Sequence, residues 1–428
     1  AAVYISLGDH GKALTLFNEV LSAEERILGS DHSNTLTTKN SLATVYETMG
    51  DYPKALTLYN EVLITGERVW GPDHTNIHNS KNNLAAVYQA MGDNEKALTL
   101  YNEVLLALER ILGADHPNTL TIKHNLAGVY ESMEDYTKAL TLCNEVLLVG
   151  ERVWGAEHPH TLITKRDLAN VYHFLGDYEK ASTLYSEVLL AQERILGVNH
   201  PNTLTTKFNL AAAYKSIGDF GTALTLYSEV FIARGQVLGL LNPDTALAAY
   251  QLGLVHYANN NIHLAIFFLK VAITSTHLTR INNASLDESL KGSFLELVED
   301  RYHFLCKLLI EAGREAEKDE VILLLQMDEL QVRTLSLQTG YSSYNYTPEN
   351  LFKDTPEGPA LAAFFNISET LANLTKERRA LIERKAKVET LSPEETMRLE
   401  ELDIEITAHS MTFNDFCQNE LPGIFKRS

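Results

Sequence analysis

The sequence predicts an all-α fold, a solenoid of stacked helical hairpins, and three observations lead there. Several residue columns return with a period of 42: His32, His74, His116, His158 and His200; Tyr4, Tyr46, Tyr88, Tyr130, Tyr172 and Tyr214; glycines from Gly29 to Gly239; arginines from Arg26 to Arg194. Within each period the apolar residues fall at helical spacing in two separate runs. One hairpin cannot bury its own apolar face, whereas stacked copies can, so repetition is itself the means of making a core. A weaker period of 84 overlies the first. "GERVWG" stands at Gly66–Gly71 and Gly150–Gly155 while the intervening copies read "ERILG", the pattern left by duplication of a two-repeat block.

The copy from Asn76 to Gly113 justifies each element. Leu84, Ala85, Val87, Tyr88 and Met91 form the first helical stripe, which Gly92 and Asp93 interrupt. Ala97, Leu98, Leu100, Tyr101, Val104, Leu105, Leu108 and Leu112 form the second. Gly113 suits a left-handed stop. "DHPNT" restarts the chain, with Pro117 in the first turn and Asn118 or Thr119 as the expected cap. After Gly239 the rhythm loosens. Leu252, Gly253, Tyr257 and Ala265 keep the register to about Lys270, but the column lysine is gone, as expected of a terminal copy packing against something new. Helices are expected over Ser285–Ile310, Glu315–Leu335, Pro359–Val388 and Ser392–Glu420, the last opened by a Ser392/Glu395 capping box. An irregular segment rich in Ser, Tyr, Asn, Pro and Gly interrupts them near 336–358. The expected domains are residues 1–242 (42-residue repeats, the first truncated), 243–280 (a divergent terminal repeat) and 281–428 (a helical connector or bundle).

Within Asn83–Leu105 the pattern N-L-A-x-x-Y, the following Gly92-Asp93, and then Ala97 and Tyr101 resemble the tetratricopeptide repeat family. The 42-residue unit, with "KxNLAxVY" and "LGxDHPNT", is similar to its kinesin light chain subclass over roughly residues 1–240. The resemblance implies a right-handed superhelix whose inner wall is lined by the first helix of each repeat. No heptad coiled coil of the kinesin light chain kind is visible, so the binding mode is carried over and the motor partnership is not. Residues 290–420, with "LCKLLIEAGREAEKDEVILLLQMDEL" and "LTKERRALIERKAKVETLSPEETMRLEELDIEI", resemble the connector that precedes the caspase-like domain of CHAT proteins. That likeness implies a natural gene continuing into such a peptidase domain. The opening "AAVYISLGD", the second half of a first helix, likewise implies a natural protein extending further N-terminally.

Composition excludes several function classes. A net charge of −20 is wrong for a nucleic-acid scaffold or an anionic membrane surface. There is no transmembrane-length apolar run and no signal peptide, and three isolated cysteines fit a reducing compartment, so the expected location is cytoplasmic. The column histidines sit in equivalent loops of helices that pack about 8–10 Å apart. Ligands of one zinc stand within about 4 Å of each other, so these histidines are expected to bond within their loops and not to hold a metal. His303 and Cys306, three apart on an expected helix, lie among Phe304, Leu305, Leu308 and Leu309; a free cysteine is usually a small buried hydrophobe, so no catalytic pair is expected there. Cys143 replaces the tyrosine of the Tyr59, Tyr101 and Tyr185 column and reads as a packing substitution. P-loop, GxGxxG, GxSxG and HExxH motifs are absent. No cofactor and no enzymatic activity are expected.

What remains is binding. By the family resemblance, three first-helix columns face the groove: Ser41, Asn83, Asn125, Asp167 and Asn209; Asn40, Asn82, His124, Arg166 and Phe208; and Thr44, Ala86, Gly128, Asn170 and Ala212. Asparagine suits an extended peptide because its amide both donates and accepts, and its recurrence in a helix interior opposes its propensity. Lys39, Lys81, Lys123, Lys165 and Lys207 add positive charge on the same helices, available to an acidic peptide or paired locally. The expected function is a protein-interaction scaffold gripping an extended peptide through Asn40, Lys81, Asn82, Asn83, Lys123, Asn125, Arg166, Asp167, Asn170 and Asn209. The alternative is the sensing arm of a CHAT-type cysteine peptidase, its partner a peptidase-like domain in the parent protein. A kinesin-type cargo adaptor is the weaker alternative.

Overall fold

The computed structural model describes residues 10–282, 288–315, 317–319, 321, 322, 352, 354–387 and 391–420. Every regular element among them is helical: α1 His10–Ile27, α2 Ser33–Thr48, α3 Tyr52–Trp70, α4 Thr75–Ala90, α5 Asn94–Leu112, α6 Pro117–Ser132, α7 Tyr136–Val153, α8 Pro159–Phe174, α9 Tyr178–Leu196, α10 Pro201–Ile217, α11 Phe220–Leu238, α12 Pro243–Ala258, α13 Ile262–Asn282, α14 Glu288–Glu311, α15 Gly358–Lys387 and α16 Pro393–Asp415. A short π-helical turn, Phe416–Glu420, follows α16. The chain forms two compact units, Ala1–Leu184 and Tyr185–Ser428. The expected helix Glu315–Leu335 and irregular segment 336–358 lie largely outside the described residues, as does Tyr4.

The punctuation of each hairpin explains the sequence columns. The cap of the first helix is the column histidine, not the expected Asn118 or Thr119. His116 Nδ1 accepts from the Asn118 backbone N–H at 3.2 Å, and His32, His74, His158 and His200 do the same for their helices. An imidazole nitrogen reaches the second helical N–H much as a side-chain carbonyl would; Asn242 fills this role in the terminal copy at 2.8 Å. Gly113 ends the preceding helix at φ 92° and ψ 161°, a region open essentially to glycine and not the left-handed turn expected. That conformation aims its carbonyl back into the loop, where the Thr119 hydroxyl and the His116 N–H both donate to it. Between the two helices of a hairpin, Asp93 caps α5 and pairs with Lys96 at 2.6 Å. The Lys96 ammonium lies 5.0 Å from the centre of the Tyr88 ring, which accounts for the recurring tyrosine.

In the first unit each helix packs on the next in chain order, and first helices also touch one another, α2 with α4, α4 with α6 and α6 with α8. This is the helix-pair stacking of a tetratricopeptide solenoid. The interior is made of fully buried small and aromatic residues such as Ala55, Tyr59, Val87 and Ala97, each large one stabilising by roughly 1.5–3 kcal/mol. The 84-residue alternation has a steric cause. A Cβ on Gly66 would stand 2.8 Å from the Trp70 ring, and one on Gly150 would stand 3.0 Å from Trp154. Copies with Trp therefore carry Gly four residues earlier, whereas the intervening copy carries Leu108 and Leu112.

In the second unit the loosened rhythm has a structural reason. Glu193 and Glu229 flank Lys207, but one period later these three positions are Gly235, Val271 and Ala249. Ala249 and Val271 are fully buried. The hairpin of α15 and α16 packs on α11. Phe364 stacks on Phe231 with ring centres 5.6 Å apart, and the Phe413 ring lies 3.4 Å from where a Gly235 Cβ would be. Charge has thus been exchanged for an apolar seat. Ser392 caps α16 through the expected capping box. Inside this unit Lys270, fully buried, bonds Glu357 at 2.7 Å, Glu317 at 2.9 Å and the Thr355 hydroxyl at 2.9 Å. Arg314 bridges the same two glutamates at 2.6 Å.

Candidate functional site

The candidate residues of the first unit lie on four successive first helices: Asn40 on α2; Lys81, Asn82 and Asn83 on α4; Lys123 and Asn125 on α6; Arg166, Asp167 and Asn170 on α8. Asn209 and Phe208 hold the same register on α10 of the second unit. All are half-buried except Lys123, which is buried.

The polar residues of the first unit are joined in a ladder that crosses repeat boundaries. Asn125 Nδ2 donates to Asn82 Oδ1 at 2.9 Å, and Asn82 Nδ2 donates to Asn83 Oδ1 at 3.0 Å. One period on, His124 Nε2 stands 3.3 Å from Asp167 Oδ2, and Arg166 grips Asp167 Oδ1 at 2.9 and 3.0 Å. In alternate copies the residue one position before the N-L-A-type triplet also meets a hydroxyl 40 positions on: the Ser80 hydroxyl donates to Asn40 Oδ1 at 2.8 Å, and the Thr164 hydroxyl meets His124 Nδ1 at 3.4 Å. The side chains are therefore held in set orientations by neighbours on the adjacent repeat. Asn125 still has a second amide N–H and its carbonyl oxygen to offer. Asparagines on the second helices behave differently: Asn60, Asn102 and Asn144 each donate to the carbonyl four residues earlier in their own helix.

The lysine column is paired within the array. Lys39 lies 3.2 Å from both Glu25 and Glu61; Lys81 lies 3.7 Å from Glu67 and 3.0 Å from Glu103; Lys123 is clamped by Glu109 at 3.3 Å and by Glu145. Burial alone would lower the Lys39, Lys123 and Lys207 pKa values, but hydrogen bonds to the two glutamates outweigh it and hold them above the ordinary lysine value. Two glutamates per lysine also help to make the chain acidic. Of the two readings open to these lysines, local pairing is the arrangement observed.

A partly open pocket of about 200 Å³ lies between first helices of the first unit, lined among others by Gln89, His124, Gly128, Glu131, Cys143 and Asp167. Burial, with Asp167 adding to it, raises the Glu131 carboxyl to about 7. Burial lowers the His124 imidazole despite the nearby Asp167 and pushes the Cys143 thiol up to about 12. Glu131 and Gln89 were not among the residues expected at the site. The usable signal was that Gly128 and Cys143 are both the smallest members of their columns and fall in the same copy. In the second unit, Phe208 packs edge-on against Tyr227 at 5.1 Å, the Arg234 guanidinium lies over its ring at 5.0 Å from the centre, and its side chain packs against the core.

The sequence motifs that invited chemistry are accounted for locally. His303 is exposed and nears Glu299 at 3.8 Å, whereas the Cys306 thiol points to the Lys318 carbonyl. Burial raises the Cys306 thiol above its ordinary value. No group of three or more His, Cys, Asp or Glu among the described residues has metal-holding geometry. No helix among them is long and apolar enough to cross a membrane.

Residues 1–63, 76–147, 119–189 and 160–231 match the family model described as tetratricopeptide repeat. No curated protein sequence matches at a significant level. Among solved structures, the chain is similar to the nearly identical tetratricopeptide-like repeats of a putative kinesin light chain from Podosopora anserina. The identity is 27% over 48% of this chain and 97% of that one, with a TM-score of 0.41. It is similar to BtubC (BKLC) from P. vanneervenii at 20% identity, over 56% of this chain and 93% of that one, with a TM-score of 0.43. It is similar to the apo form of RapI at 13% identity, over 70% of this chain and 98% of that one, with a TM-score of 0.50, a likeness of fold.

Proposed function

The chain belongs to the tetratricopeptide repeat family, and from that premise we propose that it is a non-enzymatic interaction scaffold whose first-helix face in unit one binds an extended peptide segment of a partner protein. The observation that carries this reading is the ladder of half-buried Asn40, Asn82, Asn83, Asn125, Arg166 and Asp167, oriented across repeats before any partner arrives. Side chains already fixed by neighbours lose less conformational entropy on binding than free ones. An amide both donates and accepts, which suits a peptide backbone without selecting its sequence. His124 and Arg166, which vary within their column, supply selectivity. Asn170 on α8 and Asn209 on α10 are proposed to extend the contact in their own units; Lys81 and Lys123 act indirectly, by orienting the glutamates that clamp them.

The test is peptide display on the full chain, followed by capture of a selected peptide by two double variants. Asn83→Ala with Asn125→Ala should weaken capture at least tenfold. Asn102→Ala with Asn144→Ala, which removes amides bonded to their own helices, should leave it unchanged. Equal capture by both would sink the reading.

A second reading, the sensing arm of a CHAT-type cysteine peptidase, is favoured by one observation: the α15–α16 hairpin shares a core with α11, the second helix of the last regular copy. Occupancy of the terminal repeats of unit two would then be felt by that hairpin. Peptide binding should slow amide exchange in residues 358–387 and 393–415; unchanged exchange there removes this reading and leaves the scaffold.

A further inference from the structure

The repeats supply their own reference for the pocket beside Cys143. Moving back 84 positions replaces His124, Gly128, Glu131, Cys143 and Asp167 by Asn40, Thr44, Glu47, Tyr59 and Asn83. In that earlier copy the space is filled. Tyr59 is fully buried, its hydroxyl donates to Glu47 Oε2 at 2.9 Å, and Thr44 Oγ1 lies 2.9 Å from the same hydroxyl. Asn83 bonds that hydroxyl as well. The floors correspond: Tyr59 packs with Ala43 and Leu84, and Cys143 packs with Ala127 and Leu168.

Three substitutions therefore act together in the later copy. The phenol, the threonine hydroxyl and the asparagine amide, all hydrogen-bond donors, are gone. Two have shrunk to Cys143 and Gly128, opening about 200 Å³, and the third has become the carboxylate of Asp167. Glu131, the counterpart of Glu47, has lost its phenol donor and makes no side-chain hydrogen bond among the described residues. Cys143 lines the pocket at 2% exposure with a thiol that likewise has no hydrogen-bond partner there. Asp167 is shared with His124 and Arg166. A pocket that was closed and self-satisfied has become open and rich in acceptors, with an apolar floor.

We propose that this pocket receives a lysine side chain of the bound peptide, its alkyl stem over Ala127 and Cys143 and its ammonium donating to Glu131. An ammonium provides three donors, which Glu131 lacks now that the phenol is gone, whereas Asp167 is already paired with Arg166. The proposal rests on the peptide-binding reading of this face and names one feature of the peptide.

The probe is n-butylammonium, titrated into the full chain by ligand-observed NMR, with 1-butanol as the neutral isostere and 4-methylphenol as the analogue of the missing ring. Butylammonium should bind at least about tenfold more tightly than butanol. A chain of net charge −20 attracts cations everywhere, so the deciding comparison is Cys143→Tyr, which refills the pocket as in the earlier copy while keeping both carboxylates. That variant should lose the tenfold preference, and so should Glu131→Ala. Gly128→Thr, which fills the pocket from the other wall, provides the same check independently. Undiminished binding by Cys143→Tyr and Gly128→Thr, or tighter binding of 4-methylphenol than of butylammonium, overturns the proposal. If butylammonium binds as expected but no peptide is captured, the pocket stands and the peptide reading falls. If peptides lacking lysine are captured with the Asn83/Asn125 dependence, the reverse holds.

Discussion

Asn125 on one repeat donates its amide to Asn82 on the preceding one at 2.9 Å, and 42 positions further on the successors of this pair, Asp167 and His124, keep the same contact at 3.3 Å in different chemistry. The relationship outlasts the residues that make it. It also ties stability to the proposed binding face, so removing an asparagine there weakens the junction between repeats as well as any contact with a peptide. A double-mutant cycle over Asn82→Ala and Asn125→Ala should give a coupling of about 0.5–1 kcal/mol by urea unfolding. The same cycle over Asn102 and Asn144, which bond within their own helices, should give a coupling near zero.

The histidine column is predicted to act through its caps. His116→Ala should cost about 1 kcal/mol. His116→Asn should cost little, because Asn242 already performs the same task in the terminal copy. Thermal melts of the three proteins decide it, and an Asn variant as weak as the Ala variant would point to some other role for the ring.

Gly66 and Trp70 are predicted to be coupled. Gly66→Leu alone drives a side chain into the indole and should cost about 1–3 kcal/mol. Adding Trp70→Leu should recover most of that loss, since Leu108 and Leu112 show the pair to be compatible. Additive losses in the double variant would show that the alternation has a different cause.

The buried charge cluster of unit two should set its response to acid. Despite burial, bonds from Arg314 and Lys270 hold the Glu357 carboxyl down at about 2, against an ordinary value of 4.5. Its stabilising contribution is therefore complete above pH 4.5 and is lost as the pH falls through 2. Glu357→Gln should flatten that acid limb in a plot of unfolding midpoint against pH. Lys270→Met, which leaves the buried Glu357 and the half-buried Glu317 facing one arginine, should cost about 3–5 kcal/mol at neutral pH.

Glu131 should respond in the opposite sense. Its carboxyl is raised from 4.5 to about 7, so the folded state holds the proton more tightly than the unfolded chain. Stability is then greatest below pH 4.5 and declines as the pH rises through 7. Between pH 5 and pH 8 the unfolding midpoint of the natural chain should fall further than that of Glu131→Gln. Parallel curves for the two proteins would contradict this assignment.

Much of this molecule was legible from its residues. The hairpin period and the placing of the helices follow from apolar spacing and column identity, because each hairpin is a local structure stacked on near copies of itself, whereas the face carrying Asn82, Asn83 and Asn125 was indicated by the family resemblance. Even the capping box at Ser392 belongs to this class, since its two partners are three residues apart. The failures were of two kinds. The cap at His116 was missed because an imidazole acceptor is uncommon there, although the column histidine and the helix start were both in view. The lysine pairs, the cluster of Lys270 with Glu357, and the seat of Phe413 against Gly235 join residues 14 to 178 positions apart. What the chain determined alone is therefore what depends on neighbours within one repeat and its next copy. What only the tertiary structure decided is where charge is neutralised and where space is left open, because both depend on which distant side chains share one small volume, and Tyr59 and Cys143 can stand in one column yet fill or empty the same place.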